Sequence, residues 1–584
     1  MSDLYYGISD IKVQNDFLLY QKLTIKLHKR YRGKLTKLKT QEAFKMFQLL
    51  EARNSVGRKI CRYAYLYYIL HLNDLKVQKF YQGVVDKMSE LDAKFDFIPQ
   101  EILLLSEKTI NLWLKDRMLH SYAPAIKYYR RFQKFQVPDE VNKVLIAKNS
   151  TSTDAFVRLY HECFERLWYR INGRKYNFGM AEKIFTNSRG AARKRISDEF
   201  VRVYKENAQQ FAFIYNVLMR DKAINDGIQN LSNPVDSINL WNDIDNKSVE
   251  VLTNTVVANY RNISQRFFKL KAKLQKQKQI PVWEVWLPVS FAKTQTYPFE
   301  VARKIILNAF HKFSPKLFKI ANVAFKDKWI DAEVRAGKLN GAMALDINSS
   351  HHPYVMLNYH AQFWDLRELA HELGHACHFV LYSNQSILNN NTPPILAEVA
   401  SVFCEHLVYD EILRNVKDDK EKLALLLEIL QNKINISLRQ IAFHLFESRA
   451  YAERKKGELS AERIAEILHE EESKYYGSAV KLRDEPSHWW ISLHHIFDFM
   501  FYCYSYSFAG GIVNSLYKVY CDKSVSNFEN KYLNMLSETG IKNYKELLKP
   551  FGLDPTKNDF WQQGLNVISD YLDEAEKLSR KLKL

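Results

Sequence analysis

The chain has 584 residues, with 85 Lys and Arg against 66 Asp and Glu for a formal net charge of +19, and 47% of it is hydrophobic. That content excludes general disorder and suffices for a large core. Only 18 glycines and 14 prolines occur, well below the roughly 7% and 5% of an average globular protein, so a mainly α fold is predicted.

From the start of the chain, residues 1–200 carry 37 basic against 21 acidic side chains, an excess of +16, and residues 201–584 carry 48 against 45, only +3. The front third reads as consecutive amphipathic helices with Lys, Glu and Gln on solvated faces. No zinc-finger, RNA-recognition or helix-turn-helix pattern accompanies the charge, so no nucleic-acid partner is expected. The first thirty residues show no basic start, apolar run and small-residue cleavage site in order, and a secretory leader is not predicted. Asn172–Arg195 reads as a turn followed by a basic helix, and a boundary near residue 198 separates an N-terminal helical domain (1–198) from a second domain (199–584). A break follows at Ile280–Pro298, with three prolines and the β-leaning WEVWLPV.

The segment Gly337–Tyr359 holds two β-leaning runs, Ala342–Ile347 and Tyr354–Asn358, and predicts a small antiparallel sheet. Asp365 and Glu368 then have the spacing of a capping box, with Asp365 as N-cap of a helix. Further on, Ile496–Val513 is interrupted by Asp498 and crowded with Tyr and Ser. It reads as a buried helix, and no membrane span is expected. Six scattered cysteines without a CxxC pair fit free thiols of a reducing cytosol, so a cytoplasmic location is expected.

The helix after Asp365 reads LAHELGHACH. His371 and His375 are four residues apart and project within ~40° of each other on one face. Two imidazoles so placed bind a single Zn²⁺ at ~2.0–2.1 Å. Glu372, beside the first, has the general-base position of an HExxH hydrolase. A catalytic zinc needs a third protein ligand. His378 is on the same face but ~10.5 Å along the axis from His371, which suits packing or a supporting role better than ligation. Glu398 is the stronger candidate, on a helix started by the Pro393-Pro394 pair and able to return beside the first. Glu405, seven residues on, lies on nearly the same line. Two acids on an apolar face (Ile395, Leu396, Val399, Val402, Phe403) need partners: the metal for Glu398, and a ligand histidine for Glu405.

The stretch HIFDFMFYCYSYSFAGG (His495–Gly511) is dense in phenols. Three tyrosines in five helical residues, Tyr502, Tyr504 and Tyr506, cannot all face one core.

Five ordered blocks resemble the zinc peptidase family of thimet oligopeptidase and oligoendopeptidase F, and in particular its oligoendopeptidase F branch. They are Ile330-Asp331 with Arg335–Lys338 and Gly341-Ala342, PYVMLNY (Pro353–Tyr359), DLRELAHELGHACH, LAEVASVFCE (Leu396–Glu405) and the aromatic stretch above. The resemblance implies a two-lobed helical metallopeptidase with a deep substrate channel, part of whose wall is the N-terminal domain, and a small antiparallel sheet beside the HExxH helix. It implies cleavage of short peptides with one Zn²⁺ held by His371, His375 and Glu398. Glu372 matches the general base and His495 and Tyr506 match transition-state-stabilising positions, with Tyr502 and Tyr504 in the same motif. Gly341, Ala342 and Met343 begin the edge strand that would pair with a peptide backbone. Met343-Ala-Leu replaces the branch's usual aromatic-rich strand, which leaves side-chain specificity open. Glu405, His378 and Asp365 are the supporting residues around the site. Rival readings are an HExxH hydrolase of larger proteins, and an anion- or nucleic-acid-binding protein with a vestigial metal site. The oligomeric state is left open.

Overall fold

The computed structural model describes residues 1–93, 97–289 and 295–584. Long helices dominate, and the strands are no longer than three residues, as the shortage of glycine and proline predicts. The chain forms two compact units, each built from three separate stretches. Residue 198, the boundary suggested by texture, falls inside the helix Gly190–Ile228. The basic front third contributes to both units, because a change of composition along the chain does not register where the chain later returns.

The first unit comprises 1–134, 294–415 and 523–552. Its opening helix, Ile11–Tyr31, is capped by Asp10, whose carboxylate accepts from Lys12 N at 2.9 Å. It buries Val13, Tyr20, Thr24, Leu27 and Tyr31, a three-and-four spacing that makes one apolar stripe. Helix Thr40–Leu70 answers with Ala43, Met46, Phe47 and Leu50. Leu27 and Tyr31 of the first helix and Ala43, Met46, Phe47 and Leu50 of the second, with Ile98, Ile102 and Trp113, form one core, where each large side chain removed from water is worth about 1.5–3 kcal/mol.

The sheet of this unit has three strands. Met343–Leu345 pairs antiparallel with Tyr354–Met356, Ala344 opposite Val355, and Ile330–Asp331 pairs parallel with the far side of Tyr354–Met356. Met343–Leu345 is therefore an edge strand. Lys338 explains part of the preceding motif: its buried ammonium donates to the carbonyls of Asp331, Glu333 and Leu357 at 2.7–3.0 Å and to Asp331 Oδ1 at 2.9 Å. Arg335 pairs with the same carboxylate at 2.6 Å. The loop leading to the edge strand is thus tied to the strand beneath it.

The second unit comprises 135–293, 416–522 and 553–584. The 39-residue helix Gly190–Ile228 runs through its core, burying Val203, Tyr204, Phe211, Tyr215 and Leu218 against Phe446, Trp490 and Phe497. The expected turn at Asn172 is the tip of a hairpin, Tyr169–Ile171 with Arg174–Tyr176. Asn172 and Gly173 both have positive φ, 51° and 79°, the requirement of a tight two-residue hairpin turn. The β-leaning WEVWLPV does not form a strand of its own. It opens with a single 3-10 turn at Val282–Glu284 after the two-residue strand Ile280–Pro281, and residues 290–294 that follow it lie outside the described residues.

Two further expectations are corrected. The aromatic stretch is two helices, His494–Asp498 and Tyr504–Cys521, because Phe501 takes φ +65° and donates its amide to the buried carboxylate of Glu447 at 2.7 Å. The histidine helix starts at Phe363 with Gln362 as N-cap, so Asp365 stands at its third position instead of its cap. There Asp365 accepts from the amides of His360 and Gln362 at 2.9 and 2.8 Å. None of the six cysteines is in a disulfide, and no helix among the described residues is long and apolar enough to cross a membrane.

Candidate active site

The histidine helix, Phe363–Tyr382, and the next helix, Pro394–Asn415, pack side by side in the first unit. Gly374 permits this: a β-carbon there would lie 2.6 Å from Ser401 Cα and 2.8 Å from Ala400 O. With backbones in contact, Glu398 arrives at the two histidines. Its Oε2 is 3.2 Å from His371 Nε2 and 3.5 Å from His375 Nε2. One donor atom from each of the three lies within 4.8 Å of the other two.

Donors arranged tetrahedrally at ~2.0–2.1 Å from one ion are ~3.3 Å apart, and the two distances from Glu398 Oε2 to the histidine nitrogens match that spacing. The second helix supplies one further constraint. Glu405 Oε1 faces His371 Nδ1 at 2.7 Å, a contact that holds a proton on Nδ1 and would leave Nε2 as the ligand atom once a metal ion displaced its proton. Glu405 is itself buried and accepts from Tyr409 OH at 2.9 Å, with Arg367 at 3.7 Å. Ser401 donates to Glu398 Oε2 at 2.9 Å.

The protonation balance reflects the crowding. Burial works against an imidazolium at His371, but the hydrogen bonds and charges of Glu398 and Glu405 outweigh it and raise its pKa to about 10. Burial alone would raise the pKa of Glu398, yet its bonds to both histidines hold it well below the carboxylate range. A cation is what this carboxylate-rich cluster attracts, and a metal ion would replace the proton of His371. Glu372 is buried, its pKa is raised chiefly by that burial, and its Oε2 has no hydrogen-bond partner among the described residues. A carboxylate left so is available to a water molecule.

His378 is not part of this cluster. It is fully buried, its Nε2 lies 2.8 Å from Thr539 Oγ1, and burial lowers its pKa to about 3. Asp365 holds the helix start through the amides of His360 and Gln362 and is not among the clustered donors. Gly341 precedes the edge strand at φ +94°, a conformation that favours glycine. Asn358 Nδ2 donates to Leu339 O at 2.8 Å and reaches Gly341 O at 3.4 Å. Ala342 and Met343 follow, half-buried, the latter paired with Met356.

In the second unit, His495 Nε2 and Tyr506 OH are 2.9 Å apart, and burial lowers the His495 pKa. Tyr502 packs edge-on against Tyr506, ring centroids 5.3 Å apart. Tyr504 is separate from them: it is buried, and its hydroxyl donates to Asn239. Sequence reasoning missed Ser401, Tyr409 and Arg367. The first two stand three and four residues from the acids they serve, a helical spacing that could have pointed to them.

A helical chain with two histidines and two carboxylates gathered on adjacent helices is of the peptidase class. It belongs to Peptidase family M3, which matches residues 191–567. The chain is 22% identical to an oligopeptidase PepF of Bacillus subtilis over 98% of its own length and 86% of the relative's. It is 24% identical to an oligoendopeptidase F homolog of Borreliella burgdorferi over 89% and 88%. Its fold is shared with a Chlamydophila abortus protein described as a peptidase (TM-score 0.84, 18% identity, 92% and 91% covered). It is also shared with an oligoendopeptidase-F of Enterococcus faecium (TM-score 0.70, 19% identity, 98% and 99% covered).

Proposed function

We propose that this peptidase is a zinc-dependent oligoendopeptidase, with one ion per chain held by His371, His375 and Glu398, that hydrolyses internal bonds of short peptides. The observation that carries the reading is the approach of both Nε2 atoms to one Glu398 oxygen at 3.2 and 3.5 Å. The names of the relatives, oligopeptidase and oligoendopeptidase F, support the preference for short peptides. Six cysteines without a disulfide support a reducing, cytoplasmic setting.

The ion, when bound, supplies a Lewis acid that acidifies water and polarises a peptide carbonyl. Glu372 takes a proton from the attacking water and later delivers it to the leaving amine. Its raised pKa suits a group that must hold and then release that proton. Glu405 keeps His371 in the tautomer whose Nε2 is a ligand. The unpaired side of Met343–Leu345 receives the peptide backbone as an added strand, so affinity rests mainly on main-chain hydrogen bonds. His495 and Tyr506 take the role that the family resemblance assigns them, donating to the oxyanion. With its pKa lowered, His495 is neutral near pH ~7 and has one N–H to give.

Metal analysis and hydrolysis of a peptide series graded in length test this reading. One zinc per chain, loss of cleavage with a chelator, recovery on adding Zn²⁺ and a sharp upper length limit are expected. Cleavage by protein stripped of metal would refute it.

A further inference from the structure

The WEVWLPV stretch serves neither the metal cluster nor the edge strand. Its 3-10 turn and the residues just after it bring Trp283 and Trp286, three apart, to one cavity, as a turn of about three residues per revolution does. Trp489 and Phe200 line the same cavity, whose volume is about 230 Å³. A void of ~150 Å³ already holds a benzene ring, so there is room here for a ring and a polar end. Every lining residue belongs to the second unit, and the cavity is complete within it.

Two opposite charges share this cavity. Arg439 ends the five-residue π-helical segment Asn435–Arg439, a local widening of a helix that recurs at functional sites. Its guanidinium lies over Trp286 at 4.2 Å, Phe443 at 4.8 Å and Trp489 at 5.3 Å. Its Nε has no hydrogen-bond partner among the described residues. Glu472, on the helix Ala461–Tyr476, is buried and accepts from Trp489 Nε1 at 3.0 Å. The charge of Arg439 favours its carboxylate, but burial prevails and raises the pKa to about 7. The two do not form an ion pair with each other. The other cations nearby are already engaged. Arg483 donates to Asp198 at 2.8 Å and to Ser197 at 2.7 Å, and Lys194 donates to Asp198 at 2.9 Å.

We propose that this cavity binds a free α-amino acid with an aromatic side chain, its carboxylate on Arg439, its ammonium on Glu472 and its ring against Trp283 and Trp286. Such a zwitterion carries the complement of both charges in one molecule and leaves neither buried without a partner. A simple carboxylate would leave Glu472 uncompensated, and a simple amine would do the same to Arg439. Indole walls favour an aromatic ring over a small side chain. Free amino acids are what complete peptide hydrolysis yields, so the ligand belongs to the product side of the chemistry. The inference does not depend on the metal site.

Calorimetry and tryptophan emission of the full-length protein test this with L-phenylalanine and three analogues. 3-Phenylpropionate lacks the ammonium, 2-phenylethylamine lacks the carboxylate and L-alanine lacks the ring. L-Phenylalanine should bind tightest, with each analogue weaker by about tenfold or more, the loss expected for one charge-assisted contact or one buried ring. Trp286→Ala should weaken L-phenylalanine binding by about tenfold, and Trp286→Phe should keep most of it. Glu472→Gln should bring L-phenylalanine and 3-phenylpropionate close to equal affinity. His371→Ala, which removes a donor from the metal cluster, should bind L-phenylalanine as the wild type does. Absence of L-phenylalanine binding, equal affinity for any of the analogues, or unchanged affinity in Trp286→Ala would overturn the proposal. Loss of binding in His371→Ala would also overturn it, by placing the amino acid at the metal cluster. The analogue series decides the matter in the wild-type protein even where a variant does not fold.

Discussion

Gly374 and Ser401 bring two helices into backbone contact: a β-carbon on the first would stand 2.6 Å from the Cα of the second. Glu398 is three residues before Ser401 on that helix, so the spacing of the whole cluster depends on this approach. Gly374→Ala should separate the helices by a few tenths of an ångström or more. Overpacking of this kind destabilises by roughly 1–3 kcal/mol. Thermal unfolding should reveal that loss, and zinc titration a weaker site. A variant with unchanged stability and zinc affinity would contradict the packing argument.

Glu405 acts on the ion only through His371. Replacing it with alanine removes the acceptor at Nδ1 and leaves Tyr409 without its partner. Loss of such a support weakens metal binding by about 10–100-fold, and competition with a chromophoric chelator measures it. Glu405→Gln should lie between wild type and alanine, because its carbonyl still accepts from the ring.

Glu372→Gln should separate binding from chemistry. The side chain keeps its size and the three donor atoms are untouched, so zinc content should remain at the wild-type level. Turnover should fall by about 10²–10⁴-fold, the usual worth of a general acid–base group. A stopped peptide assay combined with metal analysis on the same sample would distinguish this from simple loss of the ion.

The metal-free protein should have a pH dependence that zinc abolishes. The folded-state pKa of His371 is raised from 6.5 to about 10, so its contribution to stability is complete below about 6.5 and is lost as pH rises through about 10. The pKa of Glu398 is lowered from 4.5, so its contribution is present above about 4.5 and lost as pH falls through the folded value. Both are fully present only between those limits. Chelated protein should therefore lose Tm between about pH 7 and about pH 10, and zinc-loaded protein, whose His371 is already deprotonated, should lose less. Parallel slopes with and without zinc would disprove the coupling.

Much of the helical architecture is legible in the chain because a three-and-four spacing of apolar residues specifies which face is buried, as at Val13, Tyr20, Thr24, Leu27 and Tyr31. The edge strand at Met343–Leu345 is legible for the same local reason. WEVWLPV misleads because residues of high β propensity form a strand only where a partner strand is available, and the pairing there stops at Ile280 and Pro281, just before the motif. The break at Phe501 is invisible because it depends on a carboxylate 54 residues away in sequence.

At the cluster the division is sharp. A four-residue spacing on one helix is enough to put His371 and His375 on a common face, and Glu372 beside them, since 3.6 residues per turn is a local property of the backbone. The rise along the same helix already sets His378 aside, but the arrival of Glu398 at the pair is not local. It depends on how closely two helices approach, which is set by a missing side chain at Gly374 and by the backbone of Ala400 and Ser401 opposite it. The same is true of Tyr504, a phenol like its neighbours in the chain, which is taken into the interior by Asn239 while Tyr506 is left with His495. Residue types and periodicity determine what chemistry the chain can offer; the packing of distant segments decides which of those groups meet.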